Sequence, residues 1–259
     1  MKIHGLQKMT LLDFPGHVAC TVFLGGCDFR CPFCHNFELA DGSAQPVMEE
    51  EELLAFLEKR KGLLDGVAFT GGEPCLHRNL PELLRKIREM GFMTKLDTNG
   101  NHPDLLRQIL EEGLVDYVAM DIKNSPANYA RTAGPAQVDL GAVRESVELL
   151  MHGTQQPGDG TKLLGDGTKL PGDGTKLPGN GAAQPDYEFR TTVVREFHRA
   201  EDFEEIGRWI AGAKAYYLQC FTDRDSVPFG GLHAPDKEEL EEYRRIVSVR
   251  VPNVQIRGV

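Results

Sequence analysis

The chain has 259 residues, 41% hydrophobic and 26% charged, enough apolar material for one substantial core and too mixed for a disordered, collagenous or coiled-coil protein. Twenty-nine Lys and Arg against thirty-nine Asp and Glu give a net charge of -10 with no basic cluster. That balance disfavours binding to nucleic acid or an anionic membrane and leaves a protein or a small molecule as the expected partner.

The first residues, Met1-Lys2-Ile3-His4-Gly5, lack the apolar centre of a signal peptide, and no apolar run nears the ~20 residues of a bilayer span, so a cytoplasmic location is expected. After a polar-apolar stretch over 3–14, β-rich runs predict strands over 18–24, 67–70, 92–96, 115–120, 188–194 and 216–219. Between and after them, 49–61, 79–90, 103–112, 140–151, 202–213 and 237–247 repeat apolar residues at helical spacing, as Leu53, Leu54 and Leu57 do in the first. Strand followed by helix, six times over, predicts an α/β fold with a mainly parallel sheet.

One segment breaks the pattern. From Gly158 the heptad Gly-Asp-Gly-Thr-Lys-Leu-Leu recurs at 165–171 and 172–178 and decays at Gly179-Asn180-Gly181. Its glycines and prolines exclude a helix, and one carboxylate per unit is too few for a calcium repeat, so 152–185 reads as a flexible insert within a single domain spanning 1–259.

Six cysteines in a reducing compartment are metal ligands or catalytic thiols sooner than disulfides. Three of them, Cys27, Cys31 and Cys34, stand at Cys-x3-Cys-x2-Cys spacing directly after the first strand. Zinc would need a fourth ligand, for which His35 or Cys20 is in the sequence. An iron–sulfur cubane held by three thiolates instead leaves one iron without a protein ligand, where a substrate can chelate. Cys20, Cys75 and Cys220 fit no ligand spacing and are expected to be structural.

The triplet, with Phe33 just before its last cysteine, resembles the radical S-adenosylmethionine (SAM) superfamily. The surrounding Gly-Cys-Asp-Phe-Arg-Cys-Pro-Phe-Cys-His-Asn, with Leu12-Asp13-Phe14-Pro15-Gly16 upstream, is similar to the activating enzymes of glycyl radical enzymes, most of all those of the anaerobic ribonucleoside-triphosphate reductase. The resemblance implies a partial (β/α)6 barrel, a [4Fe–4S] cluster on Cys27, Cys31 and Cys34, and SAM bound at the open iron near Phe33 and His35. It also implies the reaction: the reduced cluster cleaves SAM to a 5′-deoxyadenosyl radical, which takes a hydrogen from a glycine Cα of a partner enzyme. The expected electron donor resembles a flavodoxin or ferredoxin.

In a parallel barrel the site collects at the C-terminal strand ends. The second strand runs into Gly71-Gly72-Glu73-Pro74, where glycines permit close backbone approach and Glu73 offers an acceptor for an ammonium. In the family this turn holds the amino group of SAM, with Pro74 shaping it. The third strand ends in Asp97-Thr98-Asn99-Gly100 and the fourth in Asp121-Ile122-Lys123. The resemblance makes Lys123 a counter-charge for the cofactor carboxylate and Asp97 with Asp121 oxygen ligands for a monovalent cation. Arg190, on the fifth strand, reads equally as a cofactor neighbour or an interior structural arginine. The sixth strand departs from the pyruvate formate-lyase activases, which carry a cofactor-touching histidine after it, because here Gln219-Cys220-Phe221 stand there; His198 and His233 are the histidines left for that role. Two other readings share some of these features: a radical enzyme acting on a small molecule, such as a deazaguanine-forming synthase, and a zinc-binding interaction module.

Overall fold

A computed structural model describes residues 1–134, 138–154 and 184–259; the heptad repeat and most of the expected insert lie outside them. Its strands are β1 Lys2–Ile3, β2 Gly5–Thr10, β3 Ala19–Leu24, β4 Met48–Glu49, β5 Gly66–Gly71, β6 Met93–Thr98, β7 Tyr117–Asp121, β8 Asp186–Val193, β9 Tyr216–Cys220 and β10 Val254–Arg257. The helices are α1 Phe37–Asp41, α2 Glu50–Glu58, α3 Leu80–Glu89, α4 Pro103–Glu111, α5 Tyr129–Ala133, α6 Leu140–His152, α7 Ala200–Trp209 and α8 Lys237–Ser248.

All six predicted strands form, as β3 and β5 to β9, and all are parallel neighbours in one eight-stranded sheet of order β10-β9-β8-β7-β6-β5-β3-β2. Sequence reasoning missed the seventh parallel strand, β10, which pairs with β9 from Val254↔Tyr216 to Arg257↔Gln219. The stretch over 3–14 supplies β2, which runs antiparallel to β3 and closes the other edge. Strands such as β3 are buried almost throughout because helices cover one face and barrel-interior side chains the other. In α3 the apolar stripe of Leu80, Leu83, Leu84 and Ile87 is buried against the sheet.

Residues at the ends of β5, β6, β7, β8 and β9 and in the loop after β3 all line one cavity. Laid flat, six strands span about 24 Å, so the sheet is curled into an open barrel whose C-terminal rim encloses that cavity. Among the described residues no helix is long and apolar enough to cross a membrane.

Candidate functional site

The loop after β3 is held by backbone bonds that do not involve the thiols. Gly26 N donates to Leu39 O at 2.7 Å, Cys27 N to Ala40 O at 3.2 Å and Arg30 N to Ala133 O at 2.8 Å. The short helices α1 and α5, neither predicted, therefore frame the cysteine loop. Cys27, Cys31 and Cys34 all line the cavity. Burial pushes the Cys27 thiol up to about 12, with Glu73 adding to it. Burial likewise pushes Cys31 up to about 11 against the opposing Lys123, and raises Cys34. Thiols so buried ionise only against added positive charge. Phe33 packs against Phe197, ring centroids 5.9 Å apart, and fixes the loop between its last two cysteines.

The Gly71-Gly72 turn is shaped by close backbone approach. A Cβ on Gly72 would lie 2.0 Å from Gly26 O, and one on Gly71, at φ +117°, 2.4 Å from Leu24 O. Gly72 N donates to Leu24 O and Glu73 N to Gly26 O, both at 2.8 Å, so the turn is stitched to the cysteine loop. Asn36 Nδ2 donates to Gly71 O at 3.1 Å. Pro74 is buried, opens a 3-10 turn and does not line the cavity.

Glu73 is already well occupied. Its Oε1 accepts from Cys75 N and Thr98 Oγ1, both at 2.8 Å, and its Oε2 from Asn99 N at 2.6 Å. This carboxylate clamps the β5 turn to the end of β6, a role the sequence reading, which made it an ammonium acceptor, did not include. Burial pushes its pKa up to about 7 against those three bonds. A raised pKa in the folded state means that the stability this group contributes is complete below 4.5, its ordinary value, and is lost as pH rises through about 7. We therefore expect the cluster-free protein to lose melting temperature relative to Glu73→Gln as pH rises from about 5 to 8; parallel pH profiles for the two proteins would show that Glu73 is ionised throughout.

Deeper in the barrel, charges are paired. Arg190 Nε donates to Asp121 at 2.8 Å and its Nη1 to Asp97 at 3.4 Å; Lys123 Nζ reaches Asp121 at 2.9 Å, and Lys95 bonds Asp97. Burial opposes ionisation of Asp121, but Arg190 and Lys123 outweigh it and bring its pKa down to about 2. The same balance, with Arg190 and Lys95, lowers Asp97. Arg190 is an interior ion-pair centre, as one of its two readings had it, and it also lines the cavity. The expected monovalent cation meets a different arrangement: three side-chain cations already occupy these carboxylates, so they are not an open oxygen ligand set. Of these charges Asp97, Asp121, Lys123 and Arg190 line the cavity, two of each sign, whereas Lys95 does not.

His35 lines the cavity, but its Nε2 lies 2.6 Å from Thr222 O and its ring stacks on Phe221 at 5.7 Å, joining the cysteine loop to the end of β9. Asn99 Nδ2 bonds Asp28 at 2.9 Å and approaches Cys27 Sγ at 3.8 Å. Asn36, Asn99 and Thr98 were not singled out from sequence; the strand-end position of Thr98-Asn99-Gly100 was the available signal. Of the remaining candidates, His198 is buried, bonded to Val194 N and lying 2.9 Å from Lys123 O, while His233 is exposed and paired with Glu196; neither lines the cavity. Cys20 and Cys75 are buried, as expected of structural cysteines, whereas Cys220 is half-buried.

The residues present fit an iron–sulfur cluster. Three thiols share one cavity, and their burial demands the positive charge that iron supplies. Among the described residues, no three thiol, imidazole or carboxylate groups converge as a single metal ion would require, whereas a cubane takes each thiolate on a different iron.

A three-thiol site at the C-terminal rim of a parallel half-barrel defines a class of iron–sulfur enzymes. The sequence profile of the radical SAM superfamily matches residues 21–152, half of the chain, and the chain belongs to that family. A Methanocaldococcus jannaschii protein that carries a provisional name as a glycyl-radical enzyme activating enzyme is 28% identical over 99% of this chain and 96% of its own length. The pyruvate formate-lyase-activating enzyme of Clostridium pasteurianum is 35% identical over 48% of this chain and 52% of its own, so the chain spans about half of that relative. Streptococcus suis SuiB bound to its precursor peptide SuiA superposes with a TM-score of 0.64 at 13% identity, over 92% of this chain and 48% of SuiB, a likeness of fold.

Proposed function

We propose that this enzyme cleaves SAM reductively and uses the resulting radical to take a hydrogen atom from a glycine Cα of a partner enzyme, the anaerobic ribonucleoside-triphosphate reductase. The observation that carries this reading is the single cavity shared by three thiols, the Gly71-Gly72 turn and the ion-paired group of Asp97, Asp121, Lys123 and Arg190. Cys27, Cys31 and Cys34 would hold a [4Fe–4S] cluster. When reduced, that cluster supplies the electron that breaks the S–C5′ bond of SAM, leaving methionine and a 5′-deoxyadenosyl radical.

The chain's own residues do the positioning. The carbonyls of the Gly71-Gly72 turn suit the amino group of SAM, held in place by Glu73. Lys123 and Arg190, the two cations that line the cavity, suit its carboxylate. His35 and Phe33 wall the cysteine loop and, with the barrel, exclude water from a carbon radical.

A protein substrate is favoured by a second opening into the barrel. It is lined by Leu11, Leu12 and Arg257 and shares Asp97, Arg190 and Gln219 with the cysteine cavity. Leu11 and Leu12 are 67% and 90% exposed, apolar surface suited to a docked chain. The relative that matches almost end to end carries an activating-enzyme name. A flavodoxin- or ferredoxin-like donor in the cytoplasm would provide the electron. The reconstituted protein, mixed with that reductase, SAM and a reductant, is expected to give a glycyl radical doublet by electron paramagnetic resonance. Deoxyadenosine release with no radical on the partner would remove this choice of substrate.

A further inference from the structure

Three residues belong to both openings, and they differ in how well they are satisfied. Asp97 and Arg190 bond each other and further charges. Gln219, half-buried near the end of β9, makes no side-chain hydrogen bond among the described residues. Its register partner on β8 is Thr192, which also faces the cysteine cavity with its hydroxyl unbonded. Adjacent parallel strands thus set a carboxamide and a hydroxyl side by side on the barrel's inner face, in a wall where the neighbouring polar groups are paired.

Polar groups on a cavity wall that no neighbouring side chain engages are free to bond a ligand. A carboxamide offers one acceptor and two donors in a plane, the complement of a peptide group. It carries no charge, so a carboxylate or ammonium has stronger partners elsewhere in the same cavity. The position also matters, since Gln219 lines both the cysteine cavity and the Leu11–Leu12 opening. We infer that Gln219, with Thr192 beside it, binds the main-chain amide of the glycine-bearing segment and presents its Cα to the radical. The inference rests on the protein-substrate reading above.

The test compares Gln219→Leu and Thr192→Val with the unsubstituted holoenzyme, using the anaerobic reductase as protein substrate. The ratio of glycyl radical formed to deoxyadenosine released is expected to fall about tenfold in Gln219→Leu, the effect of losing one hydrogen bond to a half-buried group, with a rise in KM for the reductase. Thr192→Val, close to isosteric, is expected to lower the ratio in the same direction and serves if Gln219→Leu does not fold. An unchanged ratio in both variants overturns the inference while the partner reading stands. An unchanged ratio with a raised KM for SAM overturns it too, assigning the pair to the nucleoside. If the unsubstituted protein places no radical on the reductase, the partner reading and this inference fall together.

Discussion

Cys31→Ala is expected to retain almost no iron and to release no deoxyadenosine from SAM, while folding and melting as a single cooperative unit. The backbone of the cysteine loop is held by Gly26 N to Leu39 O, Cys27 N to Ala40 O, Arg30 N to Ala133 O and Cys34 N to Cys31 O, none of which uses a thiol. The thiols that brace the loop are Cys27, whose sulfur accepts from Phe29 N at 3.3 Å, and Cys34, which takes a backbone bond from Asn36. Removing the Cys31 sulfur leaves a small cavity at a 7% exposed position and costs about 1 kcal/mol, minor for a sheet built on β3 and β5 to β9. The loss of chemistry is disproportionate, because a cubane held by two protein thiolates is two ligands short. Iron analysis after anaerobic reconstitution, with circular dichroism on the same sample, checks it. A Cys31→Ala protein that kept about four irons would place the third ligand elsewhere.

Gly72→Ala is expected to be the most damaging substitution of one small residue for another. The new methyl would meet Gly26 O at 2.0 Å and Gly26 C at 2.7 Å, backbone atoms that cannot swing aside as a flexible side chain would. Gly26 is itself at φ +86° and immediately precedes Cys27, so relief comes only by pushing the cysteine loop away from the β5 turn. The two hydrogen bonds that stitch these segments, Gly72 N to Leu24 O and Glu73 N to Gly26 O, would weaken together. Overpacking of this kind costs about 3 kcal/mol, or roughly 6–12 °C of melting temperature for a chain of this size. A displacement of about 1 Å between the thiols and the cofactor turn is expected to cost about a hundredfold in SAM cleavage. Gly91→Ala is the control: its φ is +93° but nothing lies within 4 Å of the added methyl, so it carries strain of about 1 kcal/mol without the collision and is expected to leave cleavage intact. Gly72 is not at a positive φ, so its loss comes from the collision; a Gly72→Ala protein that cleaved SAM as well as Gly91→Ala would show that the cysteine loop gives way without cost to the site.

Much of the fold was legible because buried parallel strands announce themselves as short apolar runs and their covering helices as amphipathic stripes. What escaped was what depends on contacts distant in sequence. The strand β10 is four residues with mixed polarity, Val-Gln-Ile-Arg, and is stabilised by β9 and by Arg257, which reaches Glu188 at 2.7 Å and stacks on Tyr217 at 3.3 Å. The helices α1 and α5 are five residues each, too short to show a period. In the site, the cysteines and the glycine turn were legible because their chemistry demands fixed residue types at fixed spacing. The pairing of Asp97 and Asp121 with Lys95, Lys123 and Arg190 was not, since it joins side chains from three strands. Lys95 gave the clearest overlooked signal, a lysine inside an otherwise buried run of β6. Nor could spacing show that His35 reaches Thr222, 187 residues away.

The most direct test is the composition and reactivity of the anaerobically reconstituted protein with SAM and dithionite. The site geometry predicts about four irons and four sulfides per chain, one iron of which has no protein ligand, and stoichiometric release of methionine with 5′-deoxyadenosine. A protein that instead held one zinc, or a full cluster that left SAM intact, would contradict it.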